Sequence, residues 1–140
     1  MSVPSKPLPR GEHLHSGFYE YCNRRELRFQ RCSSCDAWRH MPRESCEACG
    51  SFEWSWELSS GRGTLFSWTI IHRALHPAYA DDVPYTVVVV EMEEGVRLVS
   101  RLVDVSNDDL KLGLPLQVQF EDVTPEVTMH AFRLSVESDV

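Results

Sequence analysis

The chain has 140 residues, 42% of them hydrophobic and 25% charged, with a formal net charge of −7. That balance excludes a disordered chain, and the length allows one ordinary domain or two very small ones. The acidic charge argues against a general nucleic-acid binder, because affinity for a phosphate backbone comes from Lys and Arg displacing counterions.

Residues 1–12, with Pro4, Pro7, Pro9 and Gly11 and no periodicity, read as a flexible tail. In residues 13–25, Leu14, Phe18, Tyr21 and Cys22 recur at three- and four-residue spacings, which predicts a helix. Leu27 and Phe29 then alternate with Arg28 and Gln30, so a short strand leads into the cysteine-bearing residues 32–50. After Trp56 the pattern becomes β. Residues 65–72 are rich in aromatic and β-branched side chains. Residues 85–92 form a near-continuous apolar run, as in a strand buried on both faces. Glu93, Glu94 and Gly95 mark a turn, and residues 96–103 supply the other half of a hairpin. Ser106 or Asn107 can cap one helical turn over residues 106–110. Leu116, Val118 and Phe120 alternate with Gln117, Gln119 and Glu121, as in a strand with one wet face. Residues 127–136 give a fifth strand, and residues 137–140 a C-terminal tail. Five strands with a helical turn between the third and fourth predict a small closed Greek-key barrel of the OB type. The expected division is helix and metal lobe over residues 13–57 and barrel over residues 58–136.

The cysteines carry the clearest chemistry. Cys32 and Cys35 form one CxxC pair, Cys46 and Cys49 a second, with ten residues between them. The tight turn of each pair aims two thiols at one ion, and two such knuckles give the four-sulfur tetrahedron that zinc favours. Gly50 follows Cys49, where a positive φ closes the knuckle. Asp36 holds the matching place after Cys35 and tolerates that conformation. No apolar run approaches the length of a membrane helix, and residues 1–15 lack the apolar centre of a secretory signal. A cytoplasmic protein is therefore expected, where thiols stay reduced and paired disulfides are disfavoured. A redox CxxC needs only one pair and a βαβ setting, which is missing from this pattern. Iron also suits four thiolates and stays open beside zinc. Either way four protein ligands leave no open position, so the metal is structural. Cys22 reads as a buried helical cysteine, without a nearby base to make it a nucleophile. A lobe this small needs its metal to hold together, while the barrel is expected to persist without it.

Four stretches in order, LRFQRCSSCDAWRHMPRESCEACGS, SGRGTLFSWTIIHR, VPYTVVVVEMEEGVRLVSRLVD and LKLGLPLQVQFEDVTPEVTMHAFR, resemble the DUF35 family. These are OB-fold, acyl-CoA-associated proteins with a rubredoxin-like zinc ribbon. Family members usually have Gly where this chain has Asp36. The resemblance implies an N-terminal helix, a zinc ribbon and a five-stranded OB barrel. It also implies a non-catalytic accessory subunit, with structural zinc, that binds a thiolase-fold enzyme (a thiolase, an aldolase or an acyltransferase) and helps form its CoA-ester site. Steroid side-chain aldolases and hydratases are among such partners, and the coenzyme A thioester would be shared with the partner in a hetero-oligomer.

Thiolase chemistry needs a Cys nucleophile with His and Cys partners, and four of these five cysteines are committed to metal. That favours an accessory protein over a stand-alone CoA-ester enzyme. A nucleic-acid-binding ribbon and barrel is the other alternative, opposed by the net charge and by the lack of a Lys/Arg cluster on the predicted strands. For coenzyme A, Arg62 and Arg73 can fork a phosphate, His72 stands beside Arg73, and Tyr79 in the long loop of residues 74–84 can stack on adenine. Trp68 reads as core, and Trp38, Trp54 and Trp56 as packing around the metal lobe. His13, His15, His40 and His130 show no ligand spacing, and Glu91, Glu93 and Glu94 read as a charged hairpin end.

Overall fold

The computed structural model describes residues 14–74 and 76–135; the two predicted tails and His13 lie outside them. Helix α1 (Leu14–Asn23) leads into a three-stranded antiparallel sheet of order β2–β1–β3, from β1 (Arg28–Cys32), β2 (Trp38–Arg39) and β3 (Trp54–Leu58). A closed barrel follows, of β4 (Arg62–Ile71), β5 (Tyr85–Met92), β6 (Arg97–Leu102), β7 (Pro115–Thr124) and β8 (Val127–Leu134), in the order β4–β5–β6–β8–β7. The predicted architecture of helix, ribbon and five-stranded barrel is what the chain forms.

Helix α1 buries Phe18 and Cys22, one turn apart on a single face. It stops where Arg25 turns left-handed at φ 61° and its N–H bonds the Cys22 carbonyl. The barrel grows from the β5–β6 hairpin, closed at Glu93, Glu94 and Gly95 as expected, with Met92 N–H donating to the Val96 carbonyl. The Ser106 hydroxyl caps the 3₁₀ turn Asn107–Asp109, accepting from Asp108 N–H at 3.3 Å. Closure comes from a short parallel pairing of β6 with β8 at Leu102 and Phe132, with Val103 N–H donating to the Phe132 carbonyl.

Strand β5 departs from the expectation of burial on both faces. Thr86, Val88, Val90 and Met92 point into the barrel, while Val87 and Val89 are half-buried and Glu91 is exposed. A barrel this small has one interior, and among the described residues no second layer covers its outer wall. The strands β2 and β3 were not foreseen. Two residues give no periodicity, and β3 starts at Trp54, inside what read as cysteine-lobe packing. The 3₁₀ turn Pro77–Tyr79 was likewise not foreseen; the His76 ring accepts from Ala78 N–H and starts it.

A single buried cluster runs through the molecule. Phe18 and Cys22 of α1 and Leu27 and Phe29 of the ribbon join Leu65, Val88, Val90, Leu98, Leu116 and Phe132 of the barrel. Trp38, Trp56 and Trp68 are half-buried and pack against it. Polar bonds reinforce the join: Asn23 Oδ1 accepts from Thr128 N–H at 2.8 Å, and Glu94 accepts from the Ser59 hydroxyl and Ser60 N–H at 2.8 and 2.9 Å. Gly63 of β4 pairs with Met92 of β5. A Cβ there would meet the Glu91 carbonyl oxygen at 2.5 Å and Val90 Cγ1 at 2.7 Å. Gly63→Ala should therefore lower stability by roughly 1–3 kcal/mol, read as a shift in the urea midpoint. Among the described residues no helix is long and apolar enough to cross a membrane.

Candidate functional site

The four cysteines come together. Their sulfurs all lie within 4.8 Å of one another, with Cys32 to Cys49 and Cys35 to Cys46 each at 3.6 Å. A regular tetrahedron of sulfurs at about 2.3 Å from zinc has edges of about 3.8 Å. The donor set therefore fits one zinc ion, and four thiolates suit that ion's preference for soft ligands.

The two knuckles repeat one design. Cys32 N–H donates to the Ala37 carbonyl and Cys46 N–H to the Ser51 carbonyl, both at 2.8 Å. Asp36 N–H closes on the Cys32 carbonyl at 2.9 Å and Gly50 N–H on the Cys46 carbonyl at 2.7 Å. The closing residues take φ of 64° and 78°, the left-handed region that the sequence reading assigned to both. The first cysteine of each knuckle also receives backbone N–H donors. The Cys35 N–H chiefly, aided by Ser34 N–H, holds the Cys32 thiol down to about 6; Cys49 N–H chiefly, with Ala48 N–H, lowers Cys46. These donors favour thiolate, the metal-binding form. Cys32 and Cys46 are buried, whereas Cys35 and Cys49 are exposed, so one flank of the cluster faces solvent.

Cys22 is another matter. It is fully buried, and desolvation pushes its thiol up to about 12, which keeps it protonated and inert.

The residues considered for coenzyme A do not form one set. His72 and Arg73 follow the end of β4, both exposed, and share a loop with Tyr79, whose side chain lies outside the described residues. Arg62 begins the same strand, ten residues earlier, so it stands about 30 Å from them along β4. It lines a cavity of about 320 Å³ with Glu91, Glu93 and Leu116. At the His72 end, an open cavity of about 570 Å³ is lined by Asp82, Tyr85, Arg101, Asp104, Asn107 and Glu121. Three carboxylates against one guanidinium give that cavity the wrong sign for a polyphosphate.

Sequence reasoning missed a cluster at the junction of the lobes. The Phe18 ring lies 4.9 Å from the His40 ring and 5.7 Å from that of His130, and Phe29 lies 5.2 Å from His40. Burial first, then the nearby His130 and His15, lowers His40 to about 4; burial alone lowers His130 to about 4. The two histidines are 90 residues apart, so no local spacing could have linked them.

The outer wall of the barrel carries exposed apolar side chains. Phe66, 43% exposed, occupies the bulge in β4, and the Arg97 guanidinium lies 3.8 Å over its ring. Val99, 62% exposed, pairs with half-buried Val89 on the adjoining strand.

Comparison with known proteins agrees with this geometry. The model of the ChsH2 rubredoxin-like zinc ribbon domain matches residues 20–55, and that of the ChsH2 C-terminal OB-fold domain matches residues 56–121. A DUF35 domain-containing scaffold protein of Methanothermobacter thermautotrophicus is 32% identical over 74% of this chain and 77% of its own length. The chain belongs to the DUF35 family. A solved DUF35 chain in the structure named Ltp2-ChsH2(DUF35) aldolase superposes with a TM-score of 0.85 at 35% identity, covering 92% of this chain and all of that one. A probable enoyl-CoA hydratase alpha subunit of Thermomonospora curvata is 35% identical over 94% of this DUF35 chain, which spans 40% of that relative. The 3-oxo-4,17-pregnadiene-20-carboxyl-CoA hydratase alpha subunit of Mycobacterium tuberculosis is 30% identical over 82% of the chain, which spans 36% of it.

Proposed function

We propose that this DUF35 protein is a non-catalytic subunit that docks on a thiolase-fold, acyl-CoA-processing enzyme, an aldolase in the first instance, and helps shape its CoA-ester site. The observation that carries the reading is the near-complete superposition, at 35% identity, on the DUF35 chain of an aldolase assembly. The wall of Phe66, Val89 and Val99 supplies an apolar face for such a partner. The cysteine quartet is read as a structural zinc site with Cys32, Cys35, Cys46 and Cys49 as ligands; bound there, zinc cross-links the two knuckles and supplies no open coordination position.

The candidate CoA contacts divide accordingly. His72, Arg73 and Tyr79 share one loop and would meet one part of a ligand, whereas Arg62 would meet a different part of the assembly. The acidic lining of the cavity near His72 leaves the phosphates of coenzyme A to the partner. Two relatives bear hydratase names on longer chains, which keeps a hydratase partner as the second reading.

Co-expression with a thiolase-fold aldolase tests the proposal. A stable complex should elute together on size exclusion, and omitting this chain should abolish or sharply reduce turnover of the acyl-CoA. Val99→Asp should weaken the complex at least tenfold, because a buried, unpaired carboxylate in an interface costs several kcal/mol. A partner fully active alone, with no complex formed, would overturn the assignment.

A further inference from the structure

Gln30 is fully buried in β1, two residues before Cys32, although its side chain is polar. Its amide is used as a piece of backbone. The side-chain Nε2–H donates to the Arg43 carbonyl at 2.9 Å, and Oε1 accepts from Arg43 N–H at 2.7 Å. Arg39, also buried, completes the arrangement: its Nε donates to Gln30 Oε1 at 3.0 Å and its Nη2 to the Arg43 carbonyl at 2.8 Å.

The placement matters because the backbone ladder runs out here. Strand β2 pairs with β1 only at Trp38 and Arg39, so the connector between the knuckles leaves the sheet after Arg39. Arg43 lies three residues before Cys46, the first ligand of the second knuckle. The far side of that knuckle is anchored by β3, where Trp54 pairs with Cys32. The near side is anchored by the Gln30 amide. A tetrahedral site binds more tightly when the folded chain holds both ligand pairs at the right separation, because less strain and ordering oppose the bound form.

We propose that Gln30, with Arg39, is the positioning residue that sets the second knuckle against the first and so determines the affinity of the four-cysteine site for zinc. This rests on the reading of that site as a zinc site. The test uses the full chain and zinc itself, in competition with a chromophoric chelator, with cobalt substitution as a spectroscopic check on tetrahedral geometry. Gln30→Leu keeps the volume and removes every bond to Arg43 and Arg39. It should weaken zinc binding about 10- to 100-fold, the range found for partners that orient metal ligands. Gln30→Glu keeps the acceptor for Arg43 N–H and Arg39, loses the donor, and should recover most of the affinity. If Gln30→Leu melts at a lower temperature but binds zinc as tightly as the parent, the residue is merely structural and the proposal fails. It also fails if Gln30→Glu loses as much affinity as Gln30→Leu. A parent chain that binds no zinc would instead overturn the metal assignment, and the proposal with it.

Discussion

Stripping the metal from the four-cysteine cluster with a chelator is expected to unfold the ribbon sheet and to lower the melting temperature of the whole chain. Structural zinc contributes on the order of 10 kcal/mol of apparent folding free energy in isolated zinc-finger peptides. The ribbon here has little else of its own. Its sheet has one two-residue strand, and its two long strands pair over five residues. The exposed sulfurs of Cys35 and Cys49 give the chelator a route to the ion. The sequence alone suggests a barrel indifferent to that loss, but the shared core changes the expectation. Phe18, Leu27 and Phe29 belong to the same buried cluster as Leu65 and Phe132, so loosening the ribbon exposes one wall of that cluster. Circular dichroism should show the β signal largely retained at low temperature, with the melt shifted down by well over 10 °C. Unchanged melting curves after verified metal removal would contradict both the role of the metal and the coupling. Cys46→Ser should reproduce the chelator result without any chelator present.

The second large effect is acid sensitivity from the histidines at the junction. Both His40 and His130 are held near 4, below the ordinary value of 6.5, by burial among aromatic side chains. In the unfolded chain they take up protons at the ordinary value; in the folded chain they resist until about pH 4. Stability is therefore fully present above pH 6.5, falls as the pH drops from 6.5 towards 4, and changes no further from these groups below that. Each excluded proton contributes about 1.4 kcal/mol per pH unit in that window. Two such groups give several kcal/mol in total, a large share of the stability of a small domain. Denaturant titrations between pH 7 and pH 5 should show this slope. His40→Phe fills the space between Phe18 and Phe29 and cannot titrate, so it should flatten the slope by about one proton. A variant as acid-sensitive as the parent would remove His40 from the account. His130 should be harder to replace, because its Nδ1 also meets the Ser100 hydroxyl at 2.7 Å.

Much of this was legible locally. The spacing of Cys32, Cys35, Cys46 and Cys49 announces a ligand set because a CxxC turn is a local structure, complete within a few residues. Asp36 and Gly50 could be assigned left-handed backbone for the same reason. The strands of the barrel show themselves because side-chain alternation has a period of two whatever the strand pairs with. The run at residues 85–92 misled only about its outer wall, since an apolar side chain on an open barrel face looks in sequence like one in a second core. Hydrophobic Val99 and Phe66 are of that kind, exposed on the outer wall.

What lay beyond the sequence depended on contacts between distant segments. Nothing near Gln30 says that its amide will replace a missing strand beside Arg43, since that requires β2 to stop after two residues. The meeting of His40 with His130, and the closing of the barrel by Leu102 against Phe132, need the chain to return on itself. Arg62 and Arg73 look like neighbours in a list of candidate contacts, yet one extended strand holds them at opposite ends of the barrel. The sequence by itself determined the two CxxC pairs, the family and the succession of elements, because those follow from spacing and period. Only the tertiary structure decided that helix, ribbon and barrel share one core, because burial is a property of the assembled chain and not of any segment of it.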